Sequence, residues 1–174
     1  MLLELRVENY AVIDNVVVEF GPGLNLLTGE TGAGKSILID ALALLLGEKA
    51  SIDVIRHGSD RTTITAVFEA DSKPLAEALE ANGLDPDADQ VILRREILST
   101  GKARVFVNNQ PATVAVLKQL APHLAIVHAQ NESMMAFDAP ARLALLDTAA
   151  AIDTSASRIA SRNFLRSNSN RAER

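Results

Sequence analysis

The residues of this chain with the clearest chemical potential form one glycine-rich segment. It reads Gly29-Glu30-Thr31-Gly32-Ala33-Gly34-Lys35-Ser36 and matches the phosphate-loop pattern G-x-x-x-x-G-K-[ST] at every fixed position. Glycines let successive backbone N–H groups point at phosphate oxygens, and the positive end of a following helix favours the same anion. We therefore expect Lys35 to contact the β and γ phosphates of a nucleotide and Ser36 to place its hydroxyl on Mg²⁺.

The segments on either side of this loop are those that a phosphate loop requires. Residues 24–27, which are three leucines and Asn25, follow the turn at 21–23 and predict a buried strand. Apolar and small residues then continue from 35 to 46, too long a stretch for a strand, and predict a helix that ends at Gly47. This order of strand, loop and helix favours nucleotide binding over the alternative, a glycine-rich turn that ends in Lys-Ser by chance.

The rest of the chain alternates between strand and helix patterns. Strands are predicted at residues 3–8, 16–20, 62–68, 91–98, 103–107 and 123–127. Helices are predicted at residues 72–81, 111–120 and 140–151. The order of these segments predicts an α/β fold with mixed parallel and antiparallel strands.

Composition limits the classes of protein to which the chain can belong. Its 174 residues are enough for one core, and no apolar run is long enough for a membrane helix. The absence of cysteine removes disulfides and thiolate chemistry and fits a cytoplasmic protein. Aromatic residues are only 3% of the chain, which argues against base-stacking platforms for single-stranded nucleic acid.

Charge divides the chain into two parts. Residues 1–152 contain 12 basic and 20 acidic side chains, a net charge of −8, whereas residues 153–174 contain 5 and 2, a net charge of +3. The first part is predicted to be one folded lobe. The second is a polar tail rich in Arg and Ser, and this composition predicts a solvated or disordered end. Two alternatives remain open: the arginines could form one face of a basic helix, or the tail could be the product of a truncation.

A phosphate-loop hydrolase also needs an acidic residue on a second strand to hold the metal. Two segments end in such a residue, 143–147 with Asp147 and 67–69 with Glu69. The first has helical character and the second lies on a strand with a polar face, so both fit structural roles better. The acid is therefore predicted to be missing, and the absence of D-x-x-G and N-K-x-D motifs argues against a GTPase.

Several segments around the phosphate loop resemble one family when they are taken in order. They are residues 5–13, 39–42, 46–50, 54–58 and 128–131. With the loop, they resemble the N-terminal part of the RecN family of bacterial double-strand-break repair proteins, which is related to SMC proteins. The resemblance covers residues 1–152.

This resemblance implies the N-terminal lobe of an ABC-type ATPase head that uses ATP and Mg²⁺. In such families a coiled coil leads to a C-terminal lobe, which carries the metal-binding Asp, the catalytic Glu, the Ser-Gly-Gly signature and the switch His. The implied partners are that lobe, a second head in a homodimer, and DNA, with no membrane. The resemblance also places Gln130 at the Mg²⁺ ion and the attacking water, whereas His128 fits a structural hydrogen-bonding role better than that of a general base.

Two groups of basic residues are candidates for contact with DNA phosphates. One comprises Arg94, Arg95, Lys102 and Arg104 on a predicted hairpin, and the other comprises Arg56, His57 and Arg61. Strand alternation places Arg94 and Arg95 on opposite faces, so the hairpin need not form one continuous patch. Solvated surface charge is the alternative for both groups.

Two other classes of function remain open from the sequence. A small self-sufficient P-loop kinase would use the Arg-rich tail as a lid and transfer phosphate to a small acceptor. A DNA-binding module would use the nucleotide only for folding.

Overall fold

The computed structural model describes residues 1–27 and 33–127, without the side chain of Ala33. The strands are β1 (Leu2–Tyr10), β2 (Ile13–Glu19), β3 (Arg61–Glu69), β4 (Gln90–Leu98), β5 (Ala103–Val107) and β6 (Gln110–Ala112). The α-helices are α1 (Ala33–Leu45), α2 (Lys73–Ala81) and α3 (Val114–Leu124), and Ile52–Val54 forms a 3₁₀ turn. In the described residues the six strands form one sheet in the order β2-β1-β3-β4-β5-β6, and every pair is antiparallel.

Within residues 1–27 and 33–127, helices cover one face of this sheet and leave the other face, here called the open face, uncovered. Alternate residues of the strands, such as Val7, Ile64 and Leu93, are completely buried on the covered face. Leucines of α2 and α3 join the same core, and α1 adds Ile37, Ala41, Leu44 and Leu45. This packing gives a two-layer α/β unit.

The α/β class is confirmed, but the predicted mixture of strand directions is confirmed only for its antiparallel part. The prediction of a buried strand at 24–27 is wrong, because these residues form no ladder and Leu24 and Leu26 are 95% and 79% exposed. The side chain of Asn25 instead accepts a hydrogen bond from the Gly21 N–H at 3.0 Å and donates to the Gly21 carbonyl at 2.8 Å. An apolar segment becomes a buried strand only when neighbouring strands pair with it.

The prediction of a strand at 123–127 is also wrong. Helix α3 continues to Leu124, and residues 125–127 belong to no strand. Leu117, Leu120 and Leu124 repeat at helical spacing and pack on the core, so burial extends the helix past its predicted end. The helix begins later than predicted because residues 110–112 pair with β5, and the Thr113 hydroxyl then caps it by accepting a hydrogen bond from the Val116 N–H.

Other predictions lie outside the described residues. They concern Gly29, Glu30, Thr31 and Gly32 of the glycine loop, His128, Gln130, the segment ending in Asp147, the helix at 140–151 and the tail at 153–174. They stay predictions, as does the division of the chain at residue 152. Within the described part, no helix is long and apolar enough to cross a membrane.

Candidate nucleotide site

Helix α1 positions the two side chains that sequence reasoning assigns to phosphate and metal. It begins at Ala33, so Lys35 and Ser36 lie in its first turn, directly after the glycine loop. Lys35 is half-buried, whereas Gly34 and Ser36 are exposed to solvent. The first turn contains no acidic residue. The positive end of the helix dipole therefore has no carboxylate in that turn to compete with a bound anion.

The opposite side of α1 fixes the helix against the sheet. The side chains of Ile37, Ala41, Leu44 and Leu45 are buried, and their spacing of four, three and one places them on one face. Apolar contact along the helix holds its axis, while its first turn remains accessible. The fold therefore presents an anion-accepting helix end on a rigid element.

Glu69, one of the two acidic candidates from the sequence, is engaged elsewhere. Glu69, the last residue of β3, forms an ion pair with the amino terminus of Met1 at 3.7 Å, and its backbone N–H bonds to the Met1 carbonyl at 2.8 Å. These contacts support the structural role that the sequence favoured for Glu69. No group of three or more His, Asp or Glu residues that could hold a metal ion occurs within the described residues.

The proposed role of Arg95 in a basic surface patch is wrong. Its side chain is 3% exposed and lies on the covered face of the sheet. There its Nη1 donates hydrogen bonds to the carbonyl oxygens of Leu44 and Glu48, at the end of α1. Burial lowers the pKa of Arg95, but a guanidinium ordinarily titrates so high that it remains charged. Arginine is rarely buried, so the sequence alone disfavours this position for it. Only the fold shows which carbonyl oxygens accept its hydrogen bonds.

Arg94 lies on the open face, as the alternation predicted. Its guanidinium carbon is 4.3 Å from the centre of the Phe106 ring, a cation–π contact. Glu96 lies 3.8 Å from Arg94 and 4.0 Å from Arg104, and therefore offsets part of their charge. Lys102 is exposed in the β4–β5 turn.

The second basic group is only partly available to a ligand. Arg56 forms an ion pair with Asp14 of β2, and its backbone N–H bonds to the Asn9 carbonyl at 2.9 Å. His57 and Arg61 are exposed. Arg56 thus ties strands β1 and β2 to the segment after α1.

The strand register adds Arg6, a basic residue that the sequence reasoning missed. Arg6 lies opposite Thr65, and Thr65 lies opposite Arg94, so the two arginines share one row on the open face. The alternation of β1 already placed Arg6 on the face opposite Leu5 and Val7. Its proximity to the hairpin depends on pairing between strands more than fifty residues apart.

The fold around α1 shifts the pKa of Tyr10. It ends β1 and is 4% exposed. Burial raises the pKa of its phenol to about 12, and the negative charges of Asp40 and Glu48 act in the same direction. The phenol therefore stays neutral at physiological pH.

With the fold and site defined, sequence comparison assigns the class of protein. The pattern of the AAA domain family matches residues 4–133. The chain therefore belongs to the AAA domain family, and its fold is that of an SMC-head-like ATPase domain.

Within this class the chain is similar to the N-terminal region of the DNA repair protein RecN. It is 40% identical to RecN of Xylella fastidiosa over 154 residues, which are 88% of this chain and 28% of that protein. It is 36% identical to RecN of Bacillus subtilis over 148 residues, which are 84% of this chain and 26% of that protein. The chain thus spans little more than a quarter of these relatives.

Solved structures support the same fold at lower identity. The Smc head domain of Pyrococcus yayanosii, with its coiled coil and joint, is 18% identical with a TM-score of 0.64, over 77% of this chain and 28% of that one. A chain solved in a study of ATP-driven dimerization and DNA-stimulated activation of SMC ATPases is 20% identical, with a TM-score of 0.62. That match covers 83% of this chain and 96% of the other.

Proposed function

We propose that this chain is the ATP-binding half of a RecN-like ATPase head that acts in DNA double-strand-break repair. The observation that carries the proposal is the first turn of α1, where Lys35 and Ser36 follow the glycine loop on a helix anchored by its buried face. The helix end attracts phosphate, and Lys35 supplies the cation for the β and γ phosphates.

A second lobe, from the rest of a longer protein, would complete the active site. In the described residues Glu69 is tied to the amino terminus, and no acid lies in the first turn of α1. The apolar segment at 24–27 is exposed where a nucleotide-binding sheet would bury it. Both observations fit a C-terminal lobe that brings the catalytic acids and pairs with this segment.

The residues fit Mg²⁺ bound together with ATP rather than a metal held by the protein alone. Mg²⁺ prefers six oxygen ligands and takes most of them from phosphates and water. Ser36 offers one exposed hydroxyl, and Gln130 is proposed to offer an amide oxygen. When bound, the metal would neutralise charge between the β and γ phosphates.

Head dimerization and DNA binding belong to the complete protein in this proposal. ATP-driven dimerization and DNA-stimulated activation are described for the SMC ATPases whose fold this chain shares. Its own N-terminal part carries a charge of −8 over residues 1–152, which opposes tight binding to a duplex. Positive surface from the other lobe would have to complete a DNA site.

Calorimetric titration of the 174-residue chain with ATP and Mg²⁺ tests the proposal. We expect binding with very little hydrolysis, and at least tenfold weaker binding for Lys35→Ala, because that change removes the cation but keeps the glycine loop. Lys49→Ala is the matched control, since Lys49 is an exposed lysine beyond the end of α1. Circular dichroism confirms that each variant is folded.

Three outcomes would contradict the proposal. Equal ATP affinity of Lys35→Ala and wild type would remove the phosphate site. Rapid hydrolysis, or transfer of phosphate to a small acceptor, would favour a self-sufficient enzyme such as a kinase. Salt-dependent DNA binding that is indifferent to ATP and to Lys35→Ala would favour a DNA-binding module.

A further inference from the structure

The end of α1 is a glycine-terminated helix end with a fixed hydrogen-bond pattern. The Gly47 N–H bonds to the Leu44 carbonyl at 3.1 Å, and the Glu48 N–H bonds to the Ala43 carbonyl at 3.2 Å. Gly47 has φ +108°, as the left-handed residue of a Schellman motif requires. The last turn contains no basic residue of its own. Its carbonyls therefore lack a local cation.

Arg95 supplies that cation from the sheet. Its Nη1 donates to the Leu44 carbonyl, which also accepts from Gly47, and to the Glu48 carbonyl at 2.7 Å. The side chain reaches these groups from the middle of β4, 47 and 51 positions away in sequence. A cation at the negative end of a helix is favourable, and burial strengthens the interaction.

A second element holds the same turn from another side. A Cβ atom built on Gly47 would lie 2.7 Å from Cγ and 3.4 Å from the backbone nitrogen of Lys118 in α3. Helix α3 thus packs directly on the turn, which leaves it little room to move. Arg95 and α3 together fix the end of α1 relative to the sheet.

We propose that Arg95 is a positioning residue for the phosphate site, acting through α1 on Lys35 and Ser36. Leu44 lies nine positions after Lys35, about 14 Å along the helix, and a packed helix transmits a displacement of one end to the other. The inference rests on the proposed function, in which the phosphate site binds ATP. We call the contact of Arg95 with the two carbonyl oxygens the Arg95 clamp. The guanidinium in this clamp is buried and directed at those oxygens, so it does not face DNA.

Three variants of the 174-residue chain test the inference. Arg95→Met removes the charge and both hydrogen bonds but keeps an apolar stem, and Arg95→Lys keeps the charge on a shorter side chain. Val91→Ala is the control, since Val91 is fully buried on the same face of β4, four positions away. The melting temperature of each variant is measured, so that a loss of ATP affinity can be compared with a loss of stability.

The first readout is affinity for ATP with Mg²⁺, measured where circular dichroism shows every variant folded. We expect at least fivefold weaker binding for Arg95→Met and an intermediate loss for Arg95→Lys. We expect less than a twofold change for Val91→Ala, even if its melting temperature falls as far as that of Arg95→Met. Affinity of Arg95→Met within twofold of wild type would overturn the role in nucleotide binding. If Arg95→Met does not fold, Arg95→Lys takes its place with an expected loss of at least twofold.

The second readout, hydrogen exchange by mass spectrometry, does not depend on ATP. The amides of residues 37–40 bond to carbonyls of the first turn of a regular helix, so their exchange reports the end that carries Lys35. We expect faster exchange there in Arg95→Met but not in Val91→Ala. Faster exchange confined to residues 43–48 would overturn the inference. Failure of wild type to bind ATP would instead count against the proposed function.

Discussion

The Arg94 guanidinium lies over the Phe106 ring, 4.3 Å from its centre, on the face of the sheet opposite the clamp made by Arg95. The strand register continues this row through Thr65 to Arg6. The neighbouring row runs through Glu8, Thr63, Glu96 and Arg104. One row of the open face therefore carries two arginines, and the neighbouring row carries two glutamates and Arg104.

Charge reversal on the hairpin tests whether this face contacts DNA. In a complete protein that carries this segment, we expect Arg94→Glu with Lys102→Glu to reduce the slope of log affinity against log salt by about 1 for each lost phosphate contact. Lys73→Glu is the control, because Lys73 is 88% exposed on α2 and far from the hairpin in sequence. Filter binding to duplex DNA at several salt concentrations measures the slope. An unchanged slope would assign Arg94 and Lys102 to solvated surface charge.

Polar substitution of the exposed leucines tests the proposed second lobe. In the 174-residue chain we expect Leu24→Ser with Leu26→Ser to change the free energy of unfolding by less than about 0.5 kcal/mol per site, since both side chains face solvent. In the complete protein the same pair is expected to cost about 2 kcal/mol or more, because the second lobe would bury it. Urea denaturation of both proteins measures the difference. Equal effects in the two would count against burial of this segment by the C-terminal lobe.

Titration of Tyr10 tests the packing around α1. It is the one tyrosine of a chain without tryptophan, so absorbance at 295 nm reports its phenolate alone. We expect an ionisation midpoint at about 12 in the folded chain and at its ordinary value of about 10 in urea. A raised pKa means that this phenol contributes stability that is fully present below about pH 10 and is lost as the pH rises towards 12. A folded midpoint near 10 would show that Tyr10 is solvated.

Replacement of Gln130 tests a residue that lies outside the described part of the chain. In the complete protein we expect Gln130→Ala to lower the rate of ATP hydrolysis far more than it changes ATP affinity. The phosphate loop supplies most ground-state contacts, whereas the glutamine is proposed to act on the metal and the attacking water. Steady-state hydrolysis and equilibrium binding on the same preparations separate the two effects. Lost affinity with an unchanged rate at saturation would make Gln130 a binding or folding residue, and no change in either would make it a solvated loop residue.

Local patterns in the sequence were sufficient to predict most elements of the described fold. Period-two alternation predicted the strands of the central sheet, and the apolar stretch after the glycine loop predicted α1 with its end before Gly47. The placement of Lys35 and Ser36 in one helical turn follows from the same reasoning. These features depend on interactions between residues close in sequence, which leave a periodic pattern.

Only the tertiary structure decided the features that depend on distant partners. Arg95 has the alternation of a core position and the chemistry of a surface residue, and the carbonyl oxygens of Leu44 and Glu48 resolve the conflict. Residues 24–27 have the composition of a buried strand but form no ladder, since burial requires a neighbouring strand to pair with them. Arg6 joins the row of Arg94 through the register of three strands. A local pattern specifies the period of an element, whereas its neighbours depend on which surfaces of the whole chain pack together.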